Sequence, residues 1–491
     1  MKGNIKWILP YFFPVKGLVI FTALLLVIGS LSSFVTIGLQ QTIIDTIIID
    51  GNYDLLTKTL IYMGIAFVVG PVVFTFGPHL IHLSVAKVTE DASKDFIQYM
   101  YNIPSEKLQT ERTGKYVHNI VFDSEQIAVL IGNDVPRIIN EVLAVFILLF
   151  IIGINSPVIL LFSLASVVIY IFLGHYFSKR VKKATKDVQR TKSDLIIHME
   201  EGVASTREVI AYHRMKWEKA IYDRVFQSYF HAVMKEGKVV NAQLIGSEPI
   251  RWGITIFILA YGGYLVLQGQ MSLGVFIIIY QFSNQLLGQF QALFTLALGL
   301  SEKMACVERV RNVIDAPPWN DGADDLQEDV SSLQLENIQF NYGQASHNNV
   351  LDNFNLSLPI GKKVALVGSS GAGKSTVAQL LIRAFEPAYG ALLVNGRPLS
   401  EVKRKDWSDR VAVVFQDPYL YPDTIRNNIL MGSQADDVQI FEACKVAQIH
   451  DYILSLPDQY DTVIGERGIT LSGGQRQRIA IARALIRDPE I

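Results

Sequence analysis

Apolar residues are gathered into long blocks over the first three hundred positions and into short runs after them. Six blocks stand out: Leu18–Ile37, Thr59–Leu83, Pro136–Ile154, Val158–Phe177, Pro249–Leu267 and Leu273–Leu300. Each is close to the ~20 helical residues that a ~30 Å hydrocarbon core requires, so each is expected to cross a membrane as a helix. Lys2–Lys16 mixes Trp7, Tyr11, Phe12 and Phe13 with lysines and reads as a segment lying along the membrane surface.

The polar connections set the expected topology. The first link holds Asp45, Asp50 and Asp54 with Lys58 as its one base, Asn155-Ser156-Pro157 joins the third and fourth blocks, and the uncharged Gln268–Ser272 joins the fifth and sixth. Ser84–Val135 and Ser178–Glu248 are long and rich in Lys and Arg, which places them and both chain ends on the cytosolic side. Val181, Val188, Leu195, Ile196, Met199 and Val203 recur at helical spacing. Each long connection is therefore expected to be two helices extending the spans, joined by a short cross-helix, with breaks at Thr113-Gly114-Lys115 and Glu200-Glu201-Gly202. Glu141, Glu248, Arg251, His79 and His82 lie near span ends, where a polar group is cheapest, and receive no transport role.

At Ala316–Asp325 prolines, Gly322 and acids mark a linker. The domains expected are residues 1–315 in the membrane, a linker over 316–330, and a soluble domain over 331–491. In the soluble domain Leu333–Tyr342, Phe354–Leu358, Val364–Val367, Ala391–Val394 and Val411–Phe415 read as strands, with an Asn395-Gly396 turn. Tyr421–Arg487 reads as mostly helical. The fold class is thus a six-span α-helical transmembrane bundle with long cytosolic extensions, followed by an α/β domain.

Composition sharpens this picture in two ways. Only 18% of residues are charged, against about 25% in soluble proteins, and the depletion falls in the apolar blocks. A net charge of −2 argues against a nucleic-acid partner. Cys306 and Cys444 fall in stretches assigned to the cytosol and are expected as thiols. No cleavable signal peptide is expected, since the first apolar block is too long and lacks a small-residue cleavage site.

The candidate chemistry centres on Gly368-Ser369-Ser370-Gly371-Ala372-Gly373-Lys374-Ser375, a G-x-x-x-x-G-K-S phosphate loop between an apolar run and a helix carrying Val377, Leu380, Leu381 and Ala384 on one face. Glycines let several N–H groups converge on one anion, and the helix N-terminus adds partial positive charge. Lys374 is expected to reach the β- and γ-phosphates of a nucleotide and Ser375 to ligate Mg²⁺, and Thr376 beside them is expected among the nucleotide contacts. Leu471-Ser472-Gly473-Gly474-Gln475 opens a second helix and is a second anion site by the same physics.

These motifs resemble the ATP-binding cassette (ABC) transporters, and within them the half-size exporters. The resemblance covers nearly the whole chain and rests on the phosphate loop, on Gln416 in Val414-Phe415-Gln416-Asp417-Pro418, and on the Leu471–Gln475 signature. Gly465-Glu466-Arg467-Gly468 looks like the exporter element that senses the membrane domain, and the Thr113-Gly114 and Glu201-Gly202-Val203 regions look like coupling helices. The resemblance implies that Tyr342 stacks on adenine, that Gln416 touches Mg²⁺ and the attacking water, and that Ser472, Gly473, Gly474 and Gln475 meet the nucleotide held by a partner chain. Lys374, Gln416, Ser472 and Gly474 are then the residues of the ATPase site. It implies a homodimer or heterodimer of half-transporters in a cytoplasmic membrane, driven by ATP and Mg²⁺, moving a small hydrophobic, lipid or peptide substrate.

The chain departs from the family pattern at Asp488–Ile491, where the strand bearing an Asp for Mg²⁺ and a Glu for water is expected to begin. The expectation is a C-terminally incomplete cassette belonging to a longer protein. A non-hydrolysing regulatory half is the alternative function. An importer is disfavoured by the fusion of spans and cassette, and a nucleic-acid ATPase by the spans.

Overall fold

The computed structural model describes residues 2–103, 107, 113–316, 319, 321–342, 349–465 and 471–491. It divides into two compact units. Met1–Ile97 with Val117–Ile314 form the first, and Gln98–Tyr116 with Asp315–Ile491 form the second.

Among the described residues, six helical stretches are long and apolar enough to cross a membrane: α1 (Gly3–Ile49), α2 (Tyr53–Met100), α3 (Gly114–Asn155), α4 (Pro157–Ala204), α5 (Met215–Leu267) and α6 (Leu273–Ile314). Their shared core comprises Phe34 of α1, Ala144, Leu148 and Ile152 of α3, Ile159 of α4, Ile254 and Ile258 of α5, and Ile279, Phe282 and Leu286 of α6. The Phe34 and Phe282 rings meet edge to face at 6.0 Å, the geometry that the ring quadrupole favours. Ser156, extended before Pro157, caps α4 by accepting from the Ile159 N–H, so the α3–α4 reversal needs no longer loop.

The connection between α4 and α5 contains the short cross-helix Thr206–Ala211. The expected break at Glu200–Gly202 is not there. Those residues are helical, and the chain turns at Ser205 and again at Tyr212–Arg214, where His213 takes φ +53°. A glycine between good helix formers costs only about 1 kcal/mol, too little to end a helix that neighbouring contacts support. Thr113–Lys115 likewise begins a helix rather than breaking one.

Two ion pairs tie α3 to α6. Arg309 donates to both carboxylate oxygens of buried Asp123, at 2.9 and 2.6 Å, and Lys303 donates to buried Asp134 at 2.5 Å. Each aspartate closes a π-helical turn, Asn119–Asp123 and Leu130–Asp134.

In the second unit β1 (Leu333–Phe340), β2 (Leu351–Leu358), β3 (Tyr389–Val394) and β4 (Arg397–Pro398) form an antiparallel sheet in the order β2-β1-β3-β4. Asn395 and Gly396 both take positive φ, +47° and +74°, which closes the β3–β4 hairpin with the twist its strands require. Leu333, Leu335, Ile338, Leu392 and Val394 build one core with Val377 and Leu380 of α7 (Lys374–Leu381), the helix after the phosphate loop. A second core gathers Ile425, Ile440, Cys444, Ile453 and Tyr460 around Ile479 and Ala482 of α8 (Gly473–Leu485). Cys306 and Cys444 are both free thiols.

The strands expected at Val364–Val367 and Val411–Phe415 are not formed. Among the described residues neither run joins a ladder, and Val367 is 93% exposed. A strand is defined by its neighbours' hydrogen bonds, and β-propensity alone does not supply them. At Val411–Phe415 the Ala412 N–H donates to the Ile491 carbonyl at 3.0 Å, and the Ile491 N–H donates to the Arg410 carbonyl at 3.1 Å.

Candidate nucleotide site

The phosphate loop curls because Gly371 and Gly373 sit at φ +85° and +84°, a region costly to any residue with a Cβ. At Gly373 a Cβ would also lie 2.8 Å from Leu351 Cδ2. Gly368 to Ala372 are exposed, and Gly373 is the residue on which α7 starts. Lys374 folds back over the loop, its Nζ donating to the carbonyls of Gly368 at 2.9 Å and Ser369 at 2.7 Å. These neutral acceptors are weaker partners for an ammonium than phosphate oxygens, which form charge-assisted bonds. Ser375 is exposed one residue along, and Thr376 is buried.

Tyr342 lies just beyond β1 and is fixed to α7 by its hydroxyl, which donates to Gln379 Oε1 and meets Thr376 Oγ1, both at 2.9 Å. Its ring stands edge-on to Phe340 and Phe385, at 4.9 and 5.5 Å. An aromatic surface is thus held beside the phosphate loop's helix, still partly open to solvent.

The signature is, locally, a helix cap. Ser472 is extended, its Oγ accepts from the Gln475 N–H at 3.3 Å, and Gln475 Oε1 accepts from the Ser472 N–H at 2.7 Å. This reciprocal box satisfies two of the helix's orphan N–H groups. It explains Ser472 and Gln475 but not the glycines between them. Gly473 and Gly474 have no positive φ, and among the described residues a Cβ on either would meet nothing within 4 Å. Alanine would stabilise the helix by roughly 0.5–1 kcal/mol at each such position. Bare backbone there leaves room for a group approaching from outside the fold.

Gln416 is exposed, and its carbonyl accepts from Gln477 Nε2 of α8 at 3.0 Å. Arg483, further along α8, donates to the carbonyls of Tyr419 at 3.0 Å and Asn428 at 2.8 Å. Burial pulls the Arg483 guanidinium below its ordinary pKa. Phe415, Pro418 and Tyr419 flank a cavity of about 540 Å³ that Trp407, Tyr421 and Arg483 also line. The roles of Gln477 and Arg483 escaped sequence reasoning. Both sit on a basic helix where one solvated cation or amide resembles another, and no spacing rule marks the two that reach back to the Gln416 segment.

The structure thus bonds Tyr342, beyond β1, to Thr376 of α7, the helix that Lys374 opens, and links Gln416 to the helix that Ser472 opens. Glu466, Arg467 and Gly468 lie outside the described residues. No cluster of three or more His, Cys, Asp or Glu able to hold a metal occurs among the described residues. Exposed Ser375 and Gln416 each carry a side-chain oxygen of the hard kind that Mg²⁺ takes beside phosphate oxygens and water.

Two family models match the chain: ABC transporter transmembrane region over residues 19–290, and ABC transporter over residues 351–491. ABC transporter B family member 1 of Arabidopsis thaliana is 31% identical over 406 residues, covering 80% of this chain and 31% of that protein. An ATP-dependent lipid A-core flippase of Yersinia pestis bv. Antiqua is 29% identical over 490 residues, covering 98% of this chain and 83% of the relative. The solved structure of a bacterial Atm1-family ABC exporter with ATP bound shares the fold, with a TM-score of 0.84 at 22% identity over 97% of this chain and 84% of that one.

Proposed function

Because this chain belongs to the ABC transporter family, and is therefore a multi-pass membrane protein built to bind ATP, we propose that it is one half of a dimeric exporter that couples ATP binding and hydrolysis to the outward movement of a hydrophobic or amphipathic, lipid-like or peptide cargo. The observation that carries this reading is that one chain joins six helices able to span a membrane to a unit with two exposed, glycine-opened helix starts, Gly368–Ala372 and Gly473–Gly474. In this reading residues 1–315 form the membrane domain, 316–330 the linker and 331–491 the cassette. The cassette and both chain ends face the cytosol of a cytoplasmic membrane.

Lys374 and the loop N–H groups bind the β- and γ-phosphates of ATP, Tyr342 presents its ring to the base, and Ser375 and Gln416 face the Mg²⁺. The cation neutralises phosphate charge when bound. Gly473 and Gly474 present their N–H groups and Ser472 its hydroxyl, with Gln475 beside them, to the γ-phosphate held by a partner chain, which accounts for glycines that no contact among the described residues requires. A γ-phosphate bridging two cassettes is a bond that hydrolysis removes, and that difference drives the conformational cycle. The lipid A-core flippase names among the relatives favour a lipid-like cargo.

Lys374→Ala tests the site. It removes a charge-assisted partner of the phosphates, worth about 1.5–3 kcal/mol, so Mg·ATP affinity is expected to fall by about tenfold to a hundredfold in equilibrium binding. Wild-type affinity in that variant would overturn the assignment.

A further inference from the structure

Of the six stretches able to cross a membrane, α6 is the least apolar. Its middle reads Gln281-Phe282-Ser283-Asn284-Gln285-Leu286-Leu287-Gly288-Gln289-Phe290-Gln291, and helical geometry sorts these residues into two faces. Phe282, Leu286 and Leu287 are buried in the bundle core, and Phe290 and Leu293 pack against it. Gln281, Asn284, Gln285, Gly288, Gln289 and Gln291 fall on the opposite side within an arc of about 160°. Ser283 is the one polar side chain between Gln281 and Gln291 on the packed face.

The amide face is only partly satisfied from within. Gln281 Nε2 donates to Gln40 Oε1 of α1 at 2.7 Å, and Asn284 Oδ1 accepts from Thr255 of α5 at 3.4 Å. Gln285 Oε1 is buried with no hydrogen-bond partner among the described residues. Gly288 and Gln291 are exposed, and Gln289 is half-buried. An amide turned toward hydrocarbon leaves donors and acceptors unpaired at a cost of several kcal/mol per group. A continuous amide face therefore turns away from lipid, toward a polar path or a polar ligand. No Asp, Glu, Lys or Arg occurs from Gln281 to Ser301, so an ionic group would find no counter-charge on this wall.

We propose that the amide face of α6, centred on Gln285 and Gln289, is a cargo-binding wall that selects an amphipath whose polar part is uncharged and offers both hydrogen-bond donors and acceptors, as sugar hydroxyls and peptide amides do. A glutamine amide supplies two donors and an acceptor, so it pairs with either chemistry. Bare Gly288 lets such a group approach the helix backbone. The term cargo rests on the exporter reading; the binding itself does not.

The experiment titrates the full chain in lipid nanodiscs with two neutral fluorescent probes, an alkyl glucoside and an N-acetylated, C-amidated leucine dipeptide. Competitors are an alkyl sulfate and an alkyl trimethylammonium. ATP-driven uptake of the better probe into inverted vesicles is measured alongside. The expected result is saturable binding of at least one neutral probe above empty nanodiscs, poor competition by both ions, and about tenfold weaker binding in the Gln285→Leu/Gln289→Leu variant. The milder Gln289→Ser is expected to weaken binding about threefold. Which probe binds identifies the source of the chemistry. Equal competition by charged amphipaths, no saturable neutral binding, or unchanged affinity in both variants overturns the proposal. So does a Gln289→Cys chain that cross-links fully to a second copy with and without probe, since the face is then a seam between helices. Glutamine-dependent binding without ATP-driven uptake would support the wall and sink the exporter reading; uptake with charge-indifferent binding would do the reverse.

Discussion

Tyr342 shows how much a single residue can carry. Its hydroxyl is bonded to Thr376 and Gln379 and its ring packs on Phe340 and Phe385, so one side chain serves both the order of α7 and the aromatic surface beside the phosphate loop. The two functions separate on substitution. Tyr342→Phe keeps the ring but removes the hydroxyl that bonds Gln379 Oε1 and Thr376 Oγ1, and is expected to cost about 1 kcal/mol of stability with Mg·ATP affinity nearly unchanged. Tyr342→Ala is expected to weaken affinity as well, by less than Lys374→Ala does. Thermal unfolding and nucleotide binding measured on both variants check this, and equal affinity loss in the two would remove the ring from the site.

At the scale of the element, α8 has a start that is over-determined. Ser472 and Gln475 satisfy each other's N–H groups, so Ser472→Ala would lose a cap worth about 1 kcal/mol and any phosphate contact together. Ser472→Asp separates them. Aspartate caps as well as serine, but sets a carboxylate where the partner's γ-phosphate is proposed to sit. The expected outcome is wild-type thermal stability and monomer ATP binding with ATP-induced dimerisation lost. Light scattering with and without ATP decides, and normal dimerisation would count against the shared site. Element by element, much was legible in the sequence. The apolar blocks, the Asn395-Gly396 turn and the helix after Gly373 announce themselves through local chemistry. Val364–Val367 and Val411–Phe415 did not become strands, because a ladder is a property of two chains lying side by side.

Across the whole molecule, contacts between residues distant in sequence hold α3 to α6. Asp123 and Arg309 are 186 residues apart and Asp134 and Lys303 are 169 apart. The Asp123 side chain is 1% exposed, whereas that of Arg309 is 49% exposed. Removing the arginine takes two charge-assisted bonds from a carboxylate in a dry site, while removing the carboxylate leaves a guanidinium that water can reach. Arg309→Met is therefore expected to destabilise the membrane unit by roughly 2–3 kcal/mol and Asp123→Asn by about 1 kcal/mol. Thermal unfolding in detergent compares them, and the reverse order would show that the pair is not held as described. The order cannot be read from the sequence, where both residues are ordinary charges on long helices.

The candidate site divides along the same line. The phosphate loop and the helix start at Ser472–Gly474 were readable because their physics is local: glycine permits positive φ and a helix start presents N–H groups, whereas the box that Ser472 closes with Gln475 is a finding of the structure. By itself the sequence determined the six apolar helices, the two glycine-opened helix starts and the ABC transporter resemblance that follows from their order. Only the tertiary structure decided that Gln477 and Arg483 hold the Gln416 segment, that the Tyr342 hydroxyl is spent on α7, that Gly473 and Gly474 meet no neighbour among the described residues, and that the glutamines of α6 lie opposite its packed face with Gln285 Oε1 unpaired among the described residues. These are facts about which groups meet across long stretches of chain. Hydrogen bonding and burial are set by proximity in space, which periodicity along a sequence does not encode.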